Sequence, residues 1–271
     1  MMHSCVTIAL VPQIKSGPWI FWEDLEASMA QASRLGFDAI ELFTEDAKSL
    51  DKGLLDGLLS KYSLKLAAVG SGAGKVIQGL TLTDPNPEIR TKAIHFIQSM
   101  MDFGAHFGAV TIIGSMQGNA LPDRREESLM HLQEALEYLG KHAEKLGVPL
   151  IYEPLNRYET NLFNTLGSGK AFVEGLSTRH IKLLADLFHM NIEEIDIAQS
   201  ILENGPWIGH VHLADSNRRP MGMGHTSMKE IAAALQQINY QGAISAEAFP
   251  WPNPLEAAEQ TIKTYQQYFK K

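Results

Sequence analysis

The chain has 271 residues, with 23 Lys and Arg against 31 Asp and Glu, a formal net charge of −8 and a pI near 5.7. That balance argues against a nucleic-acid binder, which needs a basic face to neutralise phosphates. At 45% hydrophobic and 20% charged, the composition excludes a disordered or fibrous chain. The single cysteine, Cys5, cannot close an internal disulfide, no run approaches the ~20 apolar residues of a membrane span, and the first residues lack a signal-peptide pattern, so a cytoplasmic protein with no membrane partner is expected.

From the N-terminus onward, short apolar runs rich in β-branched residues alternate with longer stretches of helical period. A strand at 6–10 precedes a helix near 22–35, and a strand at 39–43 precedes a helix near 51–61. The third strand, 64–69, runs into Gly70-Ser71-Gly72-Ala73-Gly74, which lacks the P-loop and Rossmann spacings and reads as a mobile loop rather than a phosphate cradle. Next come a helix at 87–107, a strand at 109–113, a helix at 123–146, a strand at 150–153 and a helix at 166–176. The last units are a strand at 182–186, a helix at 192–204, a strand at 207–212, a helix at 228–238, a strand at 243–247 and a helix at 253–268. Gly36, Gly147 and Gly205-Pro206 each follow a helical stretch and serve as stop signals. Eight strands alternating with eight helices, with no linker and no sequence repeat, predict one α/β domain over 1–271, a (β/α)8 TIM barrel; a doubly wound open sheet is the alternative.

In such a barrel the active site lies at the C-terminal ends of the strands, so a polar residue closing an apolar strand carries weight. Four successive strands close that way, on Glu153, Asp186, His212 and Glu247. A single strand-end carboxylate is ordinarily a helix cap or an ion-pair partner. Three carboxylates packed together would repel and raise one another's pKa, so the set of four points to a bound divalent metal. Mixed N and O ligands without a thiolate suit Mn²⁺, Co²⁺ or Mg²⁺, with Zn²⁺ still open.

The segments after those strands are polar and aromatic. Glu-Pro-Leu-Asn-Arg-Tyr-Glu at 153–159, Asp-Leu-Phe-His-Met-Asn at 186–191 and His-Val-His-Leu-Ala-Asp-Ser-Asn-Arg at 210–218 resemble, in this order, the ketose 3-epimerases of the xylose isomerase-like TIM barrel superfamily. That group includes D-tagatose/D-psicose 3-epimerases and 5-keto-gluconate epimerases, and the resemblance covers essentially the whole chain. It implies a metal held by Glu153, Asp186, His212 and Glu247, most simply Mn²⁺, with Glu153 and Glu247 also the catalytic acid/base pair. It implies in addition that Glu159, His189 and Arg218 bind the substrate oxygens near the carbonyl.

The chemistry accounts for these residue types. A proton beside a ketone is weakly acidic, so a Lewis acid and hydrogen-bond donors must stabilise the developing enediolate. Inversion takes a proton from one face and returns one to the other, so two carboxylates are needed. The expected activity is therefore a metal-dependent isomerase that epimerises the carbon next to the carbonyl of a small ketose or keto-acid sugar, with an aldose–ketose or hydroxypyruvate-type isomerase as the alternative. A metal-dependent repair nuclease would need a larger His-rich cluster and a basic face, and a barrel kept only as a binding scaffold would be expected to have lost these positions. The resemblance also implies a homo-oligomer, dimer or tetramer.

Several residues are open to two readings. His210, two before His212, reads as packing or support. Arg219 is a candidate partner for a substrate carboxylate. Glu45 and the Trp19-Ile20-Phe21-Trp22 cluster either wall the pocket or seal a helix, and Phe249-Pro250-Trp251-Pro252 lines the pocket or a subunit contact. His225 is a substrate-side or capping group, and Cys5, Met100 and Met101 read as core.

Overall fold

The computed structural model describes residues 2–14 and 16–270. Its strands are β1 (His3–Leu10), β2 (Phe21–Trp22), β3 (Ala39–Thr44), β4 (Lys65–Gly70), β5 (Val110–Ile113), β6 (Leu150–Tyr152), β7 (Ile181–Asp186), β8 (Ile208–His212) and β9 (Ala243–Ala246). All pair in parallel, in the order β2-β1-β3-β4-β5-β6-β7-β8-β9. β1 also pairs with β9, Cys5 opposite Ser245 and Val6 opposite Ala246, which closes eight strands into a barrel and excludes the open sheet.

The helices are α1 (Leu25–Leu35), α2 (Lys52–Tyr62), α3 (Ala73–Gln78), α4 (Pro87–His106), α5 (Arg125–Leu146), α6 (Leu166–Glu174), α7 (Leu187–Glu193), α8 (Ile197–Asn204), α9 (Met228–Gln237) and α10 (Pro254–Tyr268). Their starts follow local chemistry. Asp24, Asp51, Asn86, Thr165, Asp196 and Asn253 each accept a backbone N–H of the first turn, and Pro87 and Pro254 fill first positions that need no N–H. Gly36 and Gly147 close α1 and α5 at φ +84° and +68°, the left-handed region where a Cβ is unfavourable.

Three expectations need correction. Trp22 belongs to β2, where it pairs with Ala9, so the first helix begins only after the Asp24 cap. The helix expected at 192–204 is two helices: Asp186 itself caps α7, and Asp196 caps α8. The glycine run at 70–74 is not a loop alone, because α3 starts within it, anchored where Gly74 packs against Met116 and Phe96.

Strand side chains alternate between two cores. The outward set, with Val6, Ile8, Leu42, Val69, Ile113, Tyr152, Leu183 and Val211, joins Met29, Leu55, Ile97, Met100, Leu136 and Ile201 of the helices in the large apolar layer. Pairing register puts Thr7 beside Glu41, Ile112 beside Ile151, Leu184 beside His210 and Asp186 beside His212, so these residues share the inner face. Ala68, Ile112, Ile151 and Leu184 form a separate apolar plug across one half of the interior. The other half is polar, built from Thr7, Glu41, His210, His212 and Ser245, all buried. Cys5, Met100 and Met101 are buried as expected.

A Cβ at Gly36 would meet nothing within 4 Å, so only its backbone conformation requires glycine. Gly36→Ala is expected to lower the unfolding free energy by about 1 kcal/mol in denaturant titration, with no change at the barrel mouth.

Candidate active site

Glu153 and Glu247 stand one residue beyond β6 and β9, while Asp186 and His212 are the last residues of β7 and β8. All four are buried, and one ligand atom from each lies within 4.8 Å of every other. The four strand-end residues singled out from the sequence are therefore brought together. Nδ1 of His212 is at their centre, 3.4 Å from Asp186 Oδ2, 3.6 Å from Glu247 Oε2 and 3.8 Å from Glu153 Oε1.

Asp186 and Glu153 are held from behind, and the inner atoms of Asp186 and His212 are left free. Asp186 Oδ1 accepts the N–H groups of Phe188 (2.7 Å) and His189 (3.1 Å) at the N-terminus of α7. Its Oδ2 has no hydrogen-bond partner, nor has His212 Nδ1. Gln117 is wholly buried beneath Glu153: its amide donates to the backbone oxygens of Glu153 (2.9 Å) and Gly114 (3.0 Å) and accepts from the Tyr152 hydroxyl (2.5 Å). A Cβ at Gly114 would overlap Glu153 Oε2, so that carboxylate needs a glycine there. Buried, partnerless acceptors that converge in this way fit a divalent cation, since unmet buried polar atoms are otherwise costly.

The three residues expected beside them line the same cleft. His189 Nδ1 takes the Asn156 side-chain amide (2.7 Å), which leaves Nε2 to carry the proton; that atom is buried, unpaired, and 3.7 Å from Glu153 Oε1. Arg218 donates from Nη2 to Glu247 Oε2 at 2.9 Å and lies 3.4 Å from Glu159 Oε1, with its guanidinium 4.7 Å over the Phe188 ring. Arg218 has φ +59°, an unfavourable conformation for a non-glycine residue. The buried Asp215 carboxylate enforces it by accepting backbone N–H groups from Ser216 (2.7 Å), Gly222 (2.8 Å) and Thr226 (3.0 Å), and the Arg218 carbonyl accepts the N–H of Phe249.

Charge and burial compete over these groups. Burial first, and then the charge of Glu247, push Glu153 well above the usual carboxylate range. Burial also pushes Glu247 up to about 7, against the opposing pull of His212 and Arg218. Burial works on Asp186 in the same direction, but the charges of His189, His212 and Arg218 outweigh it and hold Asp186 well below that range.

The rest of the lining is largely apolar, formed by Val11, Ile14, Trp19, Phe43, Val76 and Leu155, with Gly70, Ser71, Gly72 and Ala73 completing it. Trp19 thus walls the cleft, whereas Trp22 packs edge-on against it and donates to its carbonyl. Glu45 accepts from Gln13, and His225 pairs with Ser216; neither is a cleft-lining group. Arg219 also lies off the cleft, stacked 4.4 Å over the half-exposed Trp251 ring. Glu41 was not singled out from the sequence: wholly buried on β3, it bonds both His210 and His212. A signal was available, because a lone acid inside the apolar run Ala39-Ile40-Glu41-Leu42-Phe43 is unusual for a strand covered on both faces.

A family model described as xylose isomerase-like TIM barrel matches residues 29–268. L-ribulose 3-epimerase of Methylomonas sp. is 32% identical over 230 residues, covering 82% of this chain and 77% of its own. D-psicose 3-epimerase of Enterocloster bolteae is 31% identical over 246 residues, covering 84% and 78% respectively. Among solved structures, D-allulose 3-epimerase from Methylomonas sp. in complex with D-allulose has a TM-score of 0.81 at 26% identity and covers 98% of both chains.

Gly114→Ala is expected to keep the fold but swing the Glu153 carboxylate out of the cluster. A crystal structure of the variant would show it, and an unmoved carboxylate would contradict the packing argument.

Proposed function

Because this chain belongs to the xylose isomerase-like TIM barrel family and, within it, to the ketose 3-epimerases, which are isomerases, we propose that it epimerises the carbon next to the carbonyl of a small ketose or keto-acid sugar with the help of a divalent cation. The observation that carries this reading is the convergence of Glu153, Asp186, His212 and Glu247 within 4.8 Å, with Asp186 Oδ2 and His212 Nδ1 buried and partnerless at its centre. These four residues hold the cation. Three carboxylates and one imidazole suit Mn²⁺, Co²⁺ or Mg²⁺ and also accommodate Zn²⁺. When bound, the cation supplies Lewis-acid polarisation of the sugar's carbonyl and hydroxyl oxygens.

The chain's own groups do the rest. Glu153 follows β6 and Glu247 follows β9, three strands further round the barrel, so the carboxylates approach the reacting carbon from different sides. One removes the proton, and the other delivers a proton to the opposite face. As the proton leaves, negative charge grows on the carbonyl oxygen. The Nε2–H of His189 and the guanidinium of Arg218 are the donors that meet it, already oriented by Asn156 and by Glu247 with Glu159. Glu159 accepts from the Asn156 amide (3.2 Å) and offers its remaining acceptor capacity to a sugar hydroxyl. Burial of Glu153, Asp186 and His189 keeps bulk water from the proton in transit. The apolar wall of Trp19, Phe43 and Val11 covers the rest of the sugar chain. Arg219 is engaged with Trp251 away from the cleft, which favours neutral ketoses over keto-acids.

The test is incubation of the Mn²⁺-loaded protein in D₂O with a panel of ketoses and keto-acids, read by NMR. Deuterium beside the carbonyl together with the inverted sugar is the expected result. A product with a displaced carbonyl would mean aldose–ketose isomerisation instead, and no exchange by the loaded protein would overturn the reading. Glu247→Gln is expected to fold normally and lose at least ~100-fold in turnover, the contribution of a positioned acid/base. Chelation with EDTA should abolish turnover, and Mn²⁺ should restore it.

A further inference from the structure

Glu41 lies in the middle of β3, on the inner face of the barrel, with none of its side chain exposed. Its two oxygens are divided between two imidazoles contributed by a strand far away in sequence: Oε2 is 2.7 Å from Nε2 of His210, and Oε1 is 3.0 Å from Nε2 of His212. An imidazole nitrogen facing a carboxylate at hydrogen-bond distance must carry a proton. Nε2 of His212 is therefore N–H, and in the neutral ring Nδ1 presents its lone pair to Asp186, Glu153 and Glu247.

We propose that Glu41 is a positioning residue which, by accepting the Nε2–H of His212, fixes the tautomer and ring orientation that let Nδ1 bind the divalent cation. This inference rests on the cation assigned to the cluster under the proposed function. Among the described residues the carboxylate has no hydrogen-bond partner other than the two histidines, and its register neighbours are Thr7 and Ala68. Thr7 is engaged elsewhere, donating to the Ala246 carbonyl at 2.7 Å and accepting the Ile20 N–H. His210 therefore acts as a second clamp: it holds one oxygen of Glu41 so that the other stays on His212. Without Glu41, the His212 ring has no acceptor behind it, and a proton on Nδ1 would confront the cation. A carboxylate held in this way lends a ligating imidazole basicity as well as direction.

Glu41, His210 and His212 are also close enough to form a cation site of their own. Their contacts are hydrogen-bond contacts, and Nε2 of His212 cannot both donate to Glu41 and bind a metal. Stoichiometry separates the two arrangements.

The experiment compares the full-length metal-free protein with Glu41→Gln and His210→Gln. Calorimetric titration with Zn²⁺ measures affinity and stoichiometry, nitrogen-15 NMR of the Zn²⁺-loaded proteins reads the His212 tautomer, and circular dichroism checks folding. The expected wild-type result is one cation per chain, with His212 protonated on Nε2. E41Q should bind roughly 10- to 100-fold more weakly, the usual effect of removing a ligand's supporting carboxylate, and lose the hydrogen-bonded Nε2–H signal. H210Q should keep the tautomer and lose less affinity than E41Q. A wild-type protein that binds no cation would overturn the cation reading and this one together. Cation binding with His212 protonated on Nδ1, or undiminished affinity in E41Q, would overturn the role of Glu41 alone. Two cations per chain, one of them lost in E41Q, would make Glu41 a ligand rather than a support. The wild-type tautomer decides the matter even if E41Q does not fold.

Discussion

Burial of carboxylates inside the barrel and at its mouth is the constraint on which this structure turns. Glu41, Glu153, Asp186 and Glu247 are all removed from water, and an ionised group in a low-dielectric interior is tolerated only when it is paired and hydrogen-bonded. Glu41 is paired with two imidazoles, and Asp186 is met by the N-terminus of α7. Glu247 is met by Arg218, leaving Glu153 the least compensated of the four, with burial and Glu247 both opposing its charge. The surplus of acceptors over donors at the centre is what makes the cluster suited to a cation, and it explains why so much surrounding structure is devoted to holding side chains still.

Barrel closure makes that concentration of charge possible. Pairing of β1 with β9 brings the two ends of the chain together and sets the C-terminal ends of β6 to β9 around one point. The inner face is then divided. Ala68, Ile112, Ile151 and Leu184 fill one half and carry no charge, while Glu41, His210 and His212 occupy the other. A carboxylate on β3 and histidines on β8 meet only because the sheet has closed on itself.

The loops are held by buried polar groups rather than by apolar contact. Asp215 gathers the backbone N–H groups of the segment after β8 and keeps Arg218 at a positive φ. Gln117 does the corresponding work under Glu153, tying the loops after β5 and β6 to each other. Backbone strain of about 1 kcal/mol at Arg218 persists because several hydrogen bonds determine the loop at once, as is common where a side chain must be aimed. Across the cleft, aromatic and aliphatic groups present a surface without directional demands, so the polar side of the site sets orientation and the apolar side sets shape.

Much of this was legible in the sequence. Period-two and helical patterning gave the βα order, since hydrophobic burial acts on local spacing, although the start of the first helix, set by the Asp24 cap, was missed. Glu153, Asp186, His212 and Glu247 stood out as polar residues closing apolar strands, and the motifs held Glu159, His189 and Arg218, which line the same cleft. The reading broke down where partners lie far apart in sequence. Whether the glycine run after β4 stayed open or wound into α3 depended on packing against Met116 and Phe96, and whether Arg219 faced the cleft depended on Trp251. Glu41 could be seen as an anomalous acid in an apolar strand, but its meaning rested on histidines 169 and 171 residues away. Local chemistry alone determined the elements and the candidate ligands; only the closed tertiary structure decided which buried charges meet, because register across the barrel is set by the packing of the whole sheet and not by any one segment.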